Sequence, residues 1–160
     1  MAKARPVQLH PGEPFAAAAA RVVTIRAQEV FDHSPGVLDT TDIERVHDMR
    51  VATRRLRAVL EIFAPCFPKA DFRPVLREVK ELADVLGERR DPDVQIEALE
   101  EVASAGPAGD RRALGSLIGE LRAEQARANG RLERALQKAE RRRLAERLAQ
   151  LAEAAVAEAA

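Results

Sequence analysis

Tryptophan and tyrosine are absent from this chain of 160 residues, and phenylalanine occurs five times. That removes the usual aromatic platform for stacking bases, so nucleic acid is a disfavoured partner. Net charge is missing too, because 26 Lys and Arg balance 26 Asp and Glu. A neutral chain has no bulk attraction for DNA or a charged bilayer, and any anion site must be local. A single cysteine, Cys66, excludes an intramolecular disulfide and fits a reducing compartment, so a cytoplasmic location is expected. No stretch approaches about 20 apolar residues, and no membrane span is expected. The basic start is interrupted by Pro11, Glu13 and Pro14 before any adequate apolar run, which argues against a signal peptide. His10, His33 and His47 are too scattered for a metal motif, and HExxH, the P-loop, GxGxxG and GxSxG are all missing. No metal site, cofactor or catalytic residue is therefore expected, and the chain reads as a non-enzyme.

What is present is a helix-former composition dominated by Ala, Leu, Arg and Glu. The length suits one domain with a real core. Residues 1–13 read as an irregular segment, and 14–158 as the helical domain. A first helix runs from about Pro14 to near Asp32 and ends at Ser34-Pro35-Gly36. Thr41-Asp42-Ile43-Glu44 reads as a capping box opening a second helix, which must stop before Pro65. A third starts at Pro68 to Asp71 and stops at Gly87 as its C-cap. Asp91-Pro92 reads as N-cap and first turn of a fourth over 92–103, with Asp93 also a capping residue, and 104–109 form a turn. A fifth runs through Asn129-Gly130, where the apolar stripe of Leu114, Leu117, Ile118, Leu121, Leu132 and Leu136 stays in phase. After a bend at 137–141, a last helix carries Leu144, Leu148, Leu151 and Val156, and its alanine-rich tail is expected to fray. The fold class is all-α: an antiparallel bundle of about six helices joined by short turns.

The second helix has two differentiated faces. Met49, Leu56, Leu60 and Phe63 form an apolar stripe. His47, Arg50, Arg54 and Arg57 follow spacings of three, four and three, within roughly 80° around the axis. Similar basic rows occur in the third helix, at Arg73, Arg77 and Lys80, and in the fifth, at Arg127, Arg131, Arg134 and Lys138. In a chain rich in Arg and Glu, such a row is ordinarily a solvated face paired with neighbouring acids. The second helix departs from that pattern, because Asp48 is its only carboxylate between Glu44 and Glu61. Like charges one turn apart cost about 0.2–0.5 kcal/mol per pair, so an anionic ligand is one way to offset them. Guanidinium groups make charge-assisted, often bidentate bonds to phosphate, and a phosphate beside His47 would favour its protonated form. Arg90 either pairs with the neighbouring Asp91 and Asp93 or faces the anion.

The segment HDMRVATRRLRAVLEIF, then LADVLGERRDPDVQIEAL, then ELRAEQARANGRLERAL resembles the CHAD domain over about residues 15–155. The likeness is mainly to that family's first half. It implies an all-α fold and binding of inorganic polyphosphate through basic helix faces, with no catalysis by the module. On the matching positions it points to His47, Arg50, Arg54, Arg55 and Arg57, then Arg73, Arg77, Lys80 and Arg90. Association with polyphosphate granules is one expectation for the location, and the role of binding stays open among storage, targeting and regulation. The missing half suggests a homodimer that rebuilds a two-sided basic channel. Two other readings remain: a helical scaffold for an acidic protein partner, and an accessory module of a polyphosphate or triphosphate enzyme.

Overall fold

The structure, a computed structural model, describes residues 3–159. Residues 1 and 2 of the expected irregular segment and residue 160 of the expected fraying tail lie outside the described residues. Five α-helices are present: α1 Phe15–Asp32, α2 Ile43–Ile62, α3 Lys69–Ala105, α4 Ala108–Arg141 and α5 Leu144–Ala159. A single 3-10 turn, Ala64–Cys66, follows α2. There is no strand among the described residues, and no described helix is long and apolar enough to cross a membrane. α1 packs between α5 and α2, α2 between α1 and α3, and α3 between α2 and α4.

The breaks fall where backbone chemistry demands them. Gly36 adopts φ +73°, and a Cβ there would sit 3.1 Å from Nη1 of Arg45. That same guanidinium donates to the Pro35 carbonyl at 3.2 Å, so the turn is closed by a side chain from α2. Between α4 and α5, Arg143 takes φ 54°. The buried Glu78 carboxylate then holds Arg142 at 3.2 Å and Arg147 at 2.9 Å, fixing the corner onto α3. At its other end the chain is strapped along α1. Arg26 donates to the Arg5 carbonyl at 3.0 Å, Arg21 to the Gln8 carbonyl at 2.8 Å, and Arg5 pairs with Asp32.

Two expectations are corrected. The capping box does not form: Asp42 is the N-cap of α2, but its carboxylate accepts from Nε of Arg45 at 2.8 Å. The Thr41 hydroxyl donates instead to Asp39 at 2.7 Å, inside the preceding turn. The expected third and fourth helices are one. α3 runs without a break through Gly87, Asp91 and Pro92, and neither Asp91 nor Asp93 caps anything. A mid-helix proline removes one backbone hydrogen bond and crowds the preceding turn, at about 3 kcal/mol. Burial against α4 offsets this: Leu86, Arg89, Pro92, Asp93 and Ile96 are all buried. Arg89 pairs with Asp93 across the proline, and Asp93 accepts from Gln125 at 2.6 Å. Nε of Arg89 donates to Asn129 at 3.0 Å, and Asn129 donates on to the Leu38 carbonyl at 2.9 Å.

The core collects Val23, Val46, Met49, Leu56, Leu60, Val79, Leu82, Leu86, Leu132, Leu144, Leu148 and Leu151. The α4 stripe is covered over only part of its length. Leu132 is fully buried, whereas Leu117 is 44% exposed, because α3 alone lies against that end of α4. Arg89→Ala would leave the buried Asp93 carboxylate only the more distant Arg90, at 4.0 Å, with an expected loss of about 3–5 kcal/mol in urea denaturation. Arg89→Met combined with Asp93→Leu should cost much less, and equal losses would contradict this role.

Candidate functional site

The buried side of α2, with Val46, Met49, Thr53, Leu56 and Leu60, fixes which way the rest of the helix points. The Thr53 hydroxyl, trapped there, donates back to the Met49 carbonyl at 2.8 Å. His47, Arg50 and Arg54 therefore lie toward solvent, Arg54 exposed and the other two half-buried. None of the three makes an ion pair among the described residues, and the same holds for Arg73 and Arg134. Lys69, Arg111, Arg112 and Arg141 also make no ion pair among the described residues, and what sets His47, Arg50 and Arg54 apart is that they share one face of one helix.

α3 supplies the other side. At one end Lys80 reaches Glu61 of α2 at 2.9 Å, and Arg57 meets the same carboxylate at 3.3 Å. At the other end Arg90 donates to the Ile43 carbonyl at 3.4 Å, and lies 3.9 Å from Glu44 and 4.0 Å from Asp93. Its side chain is only 12% exposed, so it clamps α3 to the start of α2. Between these two ties Ala83 and Gly87 occupy the same face of α3, at the spacings of three, four and three that α2 uses. Counting along the two antiparallel helices between those ties sets Arg54 near the level of Ala83 and Arg50 near that of Gly87. A Cβ at Gly87 would meet nothing within 4 Å. The two unpaired arginines thus lie alongside a stretch of α3 that carries only small residues on this face.

The remaining cations are placed differently. Arg55 points toward α1, where its charge adds to hydrogen bonds from Arg26 and from the Arg5 N–H. Against the cost of burial, these hold the Glu29 carboxyl below the usual carboxylate range. Arg73 and Arg77 are exposed on α3 beyond Lys80, Arg77 lying 4.0 Å from Glu81. The α4 row is not joined to the α2 row, because α3 lies between and presents Glu81 and Glu88. Lys138 pairs with Glu81 at 2.6 Å and Arg131 with Glu88 at 2.9 Å. Arg131 also meets Glu124 at 2.9 Å, and Arg127 meets the same residue at 2.7 Å. The Lys138 hydrogen bond lowers the Glu81 pKa, Arg131 and Arg127 lower that of Glu124, and Lys80 with Arg57 lowers that of Glu61.

Sequence reasoning missed Ala83, Gly87 and Glu61. The repeated spacing of 80, 83, 87 and 90 was the available signal, but only the packing of α3 on α2 gives it meaning. The sequence model of the CHAD domain family matches residues 21–160. No curated protein and no solved structure matches the chain.

Glu61, Glu81 and Glu124 have folded pKa values below their unfolded ones. Their contribution to stability is therefore present above the unfolded value, about 4.3, and is lost as pH falls through the folded value. Thermal melts across the acid range should show wild type losing more stability than the triple variant Glu61→Gln, Glu81→Gln, Glu124→Gln. High salt should shrink the difference, since these pairs are exposed.

Proposed function

The chain belongs to the CHAD domain family, and from that premise we propose that it binds inorganic polyphosphate, without catalysis, in the groove between α2 and α3. The observation that carries this reading is the pair Arg50 and Arg54, which make no ion pair among the described residues of a chain with no net charge. They stand one turn apart, about 6 Å along the axis, near the level of Ala83 and Gly87. Each charge-assisted contact to a phosphate oxygen contributes roughly 1.5–3 kcal/mol when partly desolvated. A repeated anion suits a repeated guanidinium, and a bare phosphate chain suits a neighbouring stretch of small residues. His47 continues the row at one end and Arg73 extends it beyond Lys80 at the other. In this reading the protein works in the cytoplasm, at polyphosphate granules, and two copies come together on one polymer.

Titration with polyphosphate of defined length, at two salt concentrations and with RNA as control, tests the reading. Affinity should fall steeply with salt, because each neutralised phosphate releases counterions. Long polymer should bind more tightly than triphosphate, whereas a scaffold for an acidic protein partner would treat the two alike. Arg54→Glu should abolish binding while leaving helicity and melting nearly unchanged, since Arg54 is exposed. Gly87→Leu should also fold, its side chain entering open space, and should weaken binding by narrowing the groove. Equal binding by wild type and Arg54→Glu would overturn the assignment. Release of phosphate during incubation would overturn its non-catalytic part, and a monomeric mass with polymer bound would remove the pairing of copies.

A further inference from the structure

The cations of the α2–α3 groove are of two kinds. Arg50 and Arg54 make no ion pair among the described residues, whereas Arg57 and Lys80, at the same groove's end, are both held by Glu61. Glu44 of α2 meets Arg90 at 3.9 Å at one end, and at the other Glu61 lies one turn beyond Arg57 and two beyond Arg54. Its oxygen Oε1 takes a cation from each helix, at 2.9 Å from Lys80 and 3.3 Å from Arg57. A phosphate oxygen in the same place would carry the same charge and bridge the same two cations. The pair is about 40% exposed on every side chain involved, so water and a competing anion can both reach it.

We propose that Glu61 is a built-in stand-in for the polyanion, occupying Arg57 and Lys80 until a polymer anchored at Arg50 and Arg54 displaces it. The inference rests on the polyphosphate reading of this groove. Arg50 and Arg57 are seven residues apart, about 10 Å along the helix, so one flexible polymer reaches both. Once its first phosphates are held, the next arrive at the Glu61 pair as an intramolecular competitor at high effective concentration. The carboxylate then swings into solvent and acquires a counterion of its own. Glu61 therefore sets the affinity and lowers the net number of counterions released.

The test is a double-mutant cycle read by polyphosphate titration of the full chain. Glu61→Gln keeps the shape and removes the charge. It should tighten long-chain polyphosphate by about tenfold and steepen the slope of log affinity against log salt by roughly one. Lys80→Met should weaken binding only slightly in wild type, where Lys80 is already engaged, and about tenfold in the Glu61→Gln background. Asp84→Asn removes an exposed carboxylate beside Ala83 that makes no ion pair among the described residues. It should change affinity less than threefold, with an unaltered salt slope. Equal gains from Asp84→Asn and Glu61→Gln, or additive effects of Lys80→Met and Glu61→Gln, would overturn the stand-in and leave the binding reading intact. A wild-type chain that binds no polymer at all would instead overturn the binding reading, and this inference with it.

Discussion

The buried pair of Arg89 and Asp93 is the constraint on which the rest of the molecule depends. It spans Pro92, the position at which α3 would otherwise break, and it is fully out of solvent. Polar side chains from α4 contribute further hydrogen bonds to two charges at that depth, while Arg89 Nη2 and Asp93 Oδ2 keep none. Gln125 and Asn129 are those side chains, and Asn129 also ties down the Leu38 carbonyl in the turn before α2. One network thus keeps α3 continuous, sets its register on α4 and anchors the approach to α2. Neighbouring Arg90 carries that order to the first turn of α2 and so to the groove.

A neutral chain can build a cationic surface only by sorting its acids elsewhere. Glu81 and Glu88 of α3 take Lys138 and Arg131 of α4, while Glu78 holds the α4–α5 corner. The exposed pairs are individually weak, each about 0–1 kcal/mol. Their collective effect is to occupy Arg127, Arg131 and Lys138 of the α4 row, while Arg50 and Arg54 of the α2 row keep no ion pair among the described residues. Which basic row is available for a ligand is therefore decided by where the carboxylates of the adjacent helix point. The number of arginines in a row does not decide it.

Periodicity made the helices and the core faces legible. Met49, Leu56 and Leu60, then Val75, Val79, Leu82 and Leu86, are buried where a period of 3.6 places them. Local signals misled where tertiary burial outweighed them. Gly87 and Asp91-Pro92 have the chemistry of a stop and a start, and packing against α4 overrides both. The capping box at Thr41 to Glu44 failed for a related reason, because Arg45 and Asp39 offered its side chains closer partners.

The sequence by itself determined the all-α class, the apolar stripes, the Gly36 turn and the row His47, Arg50, Arg54, Arg57. Each depends on spacing along one chain segment. Only the tertiary structure decided that α3 is one helix of 37 residues and that Ala83 and Gly87 lie near the level of the arginines. It also decided that Glu61 occupies Arg57 and Lys80, and that Arg127, Arg131 and Lys138 of the α4 row are paired. Those outcomes depend on which helices are neighbours and in what register. Residues far apart in sequence meet only through packing, so no local pattern can encode their pairing.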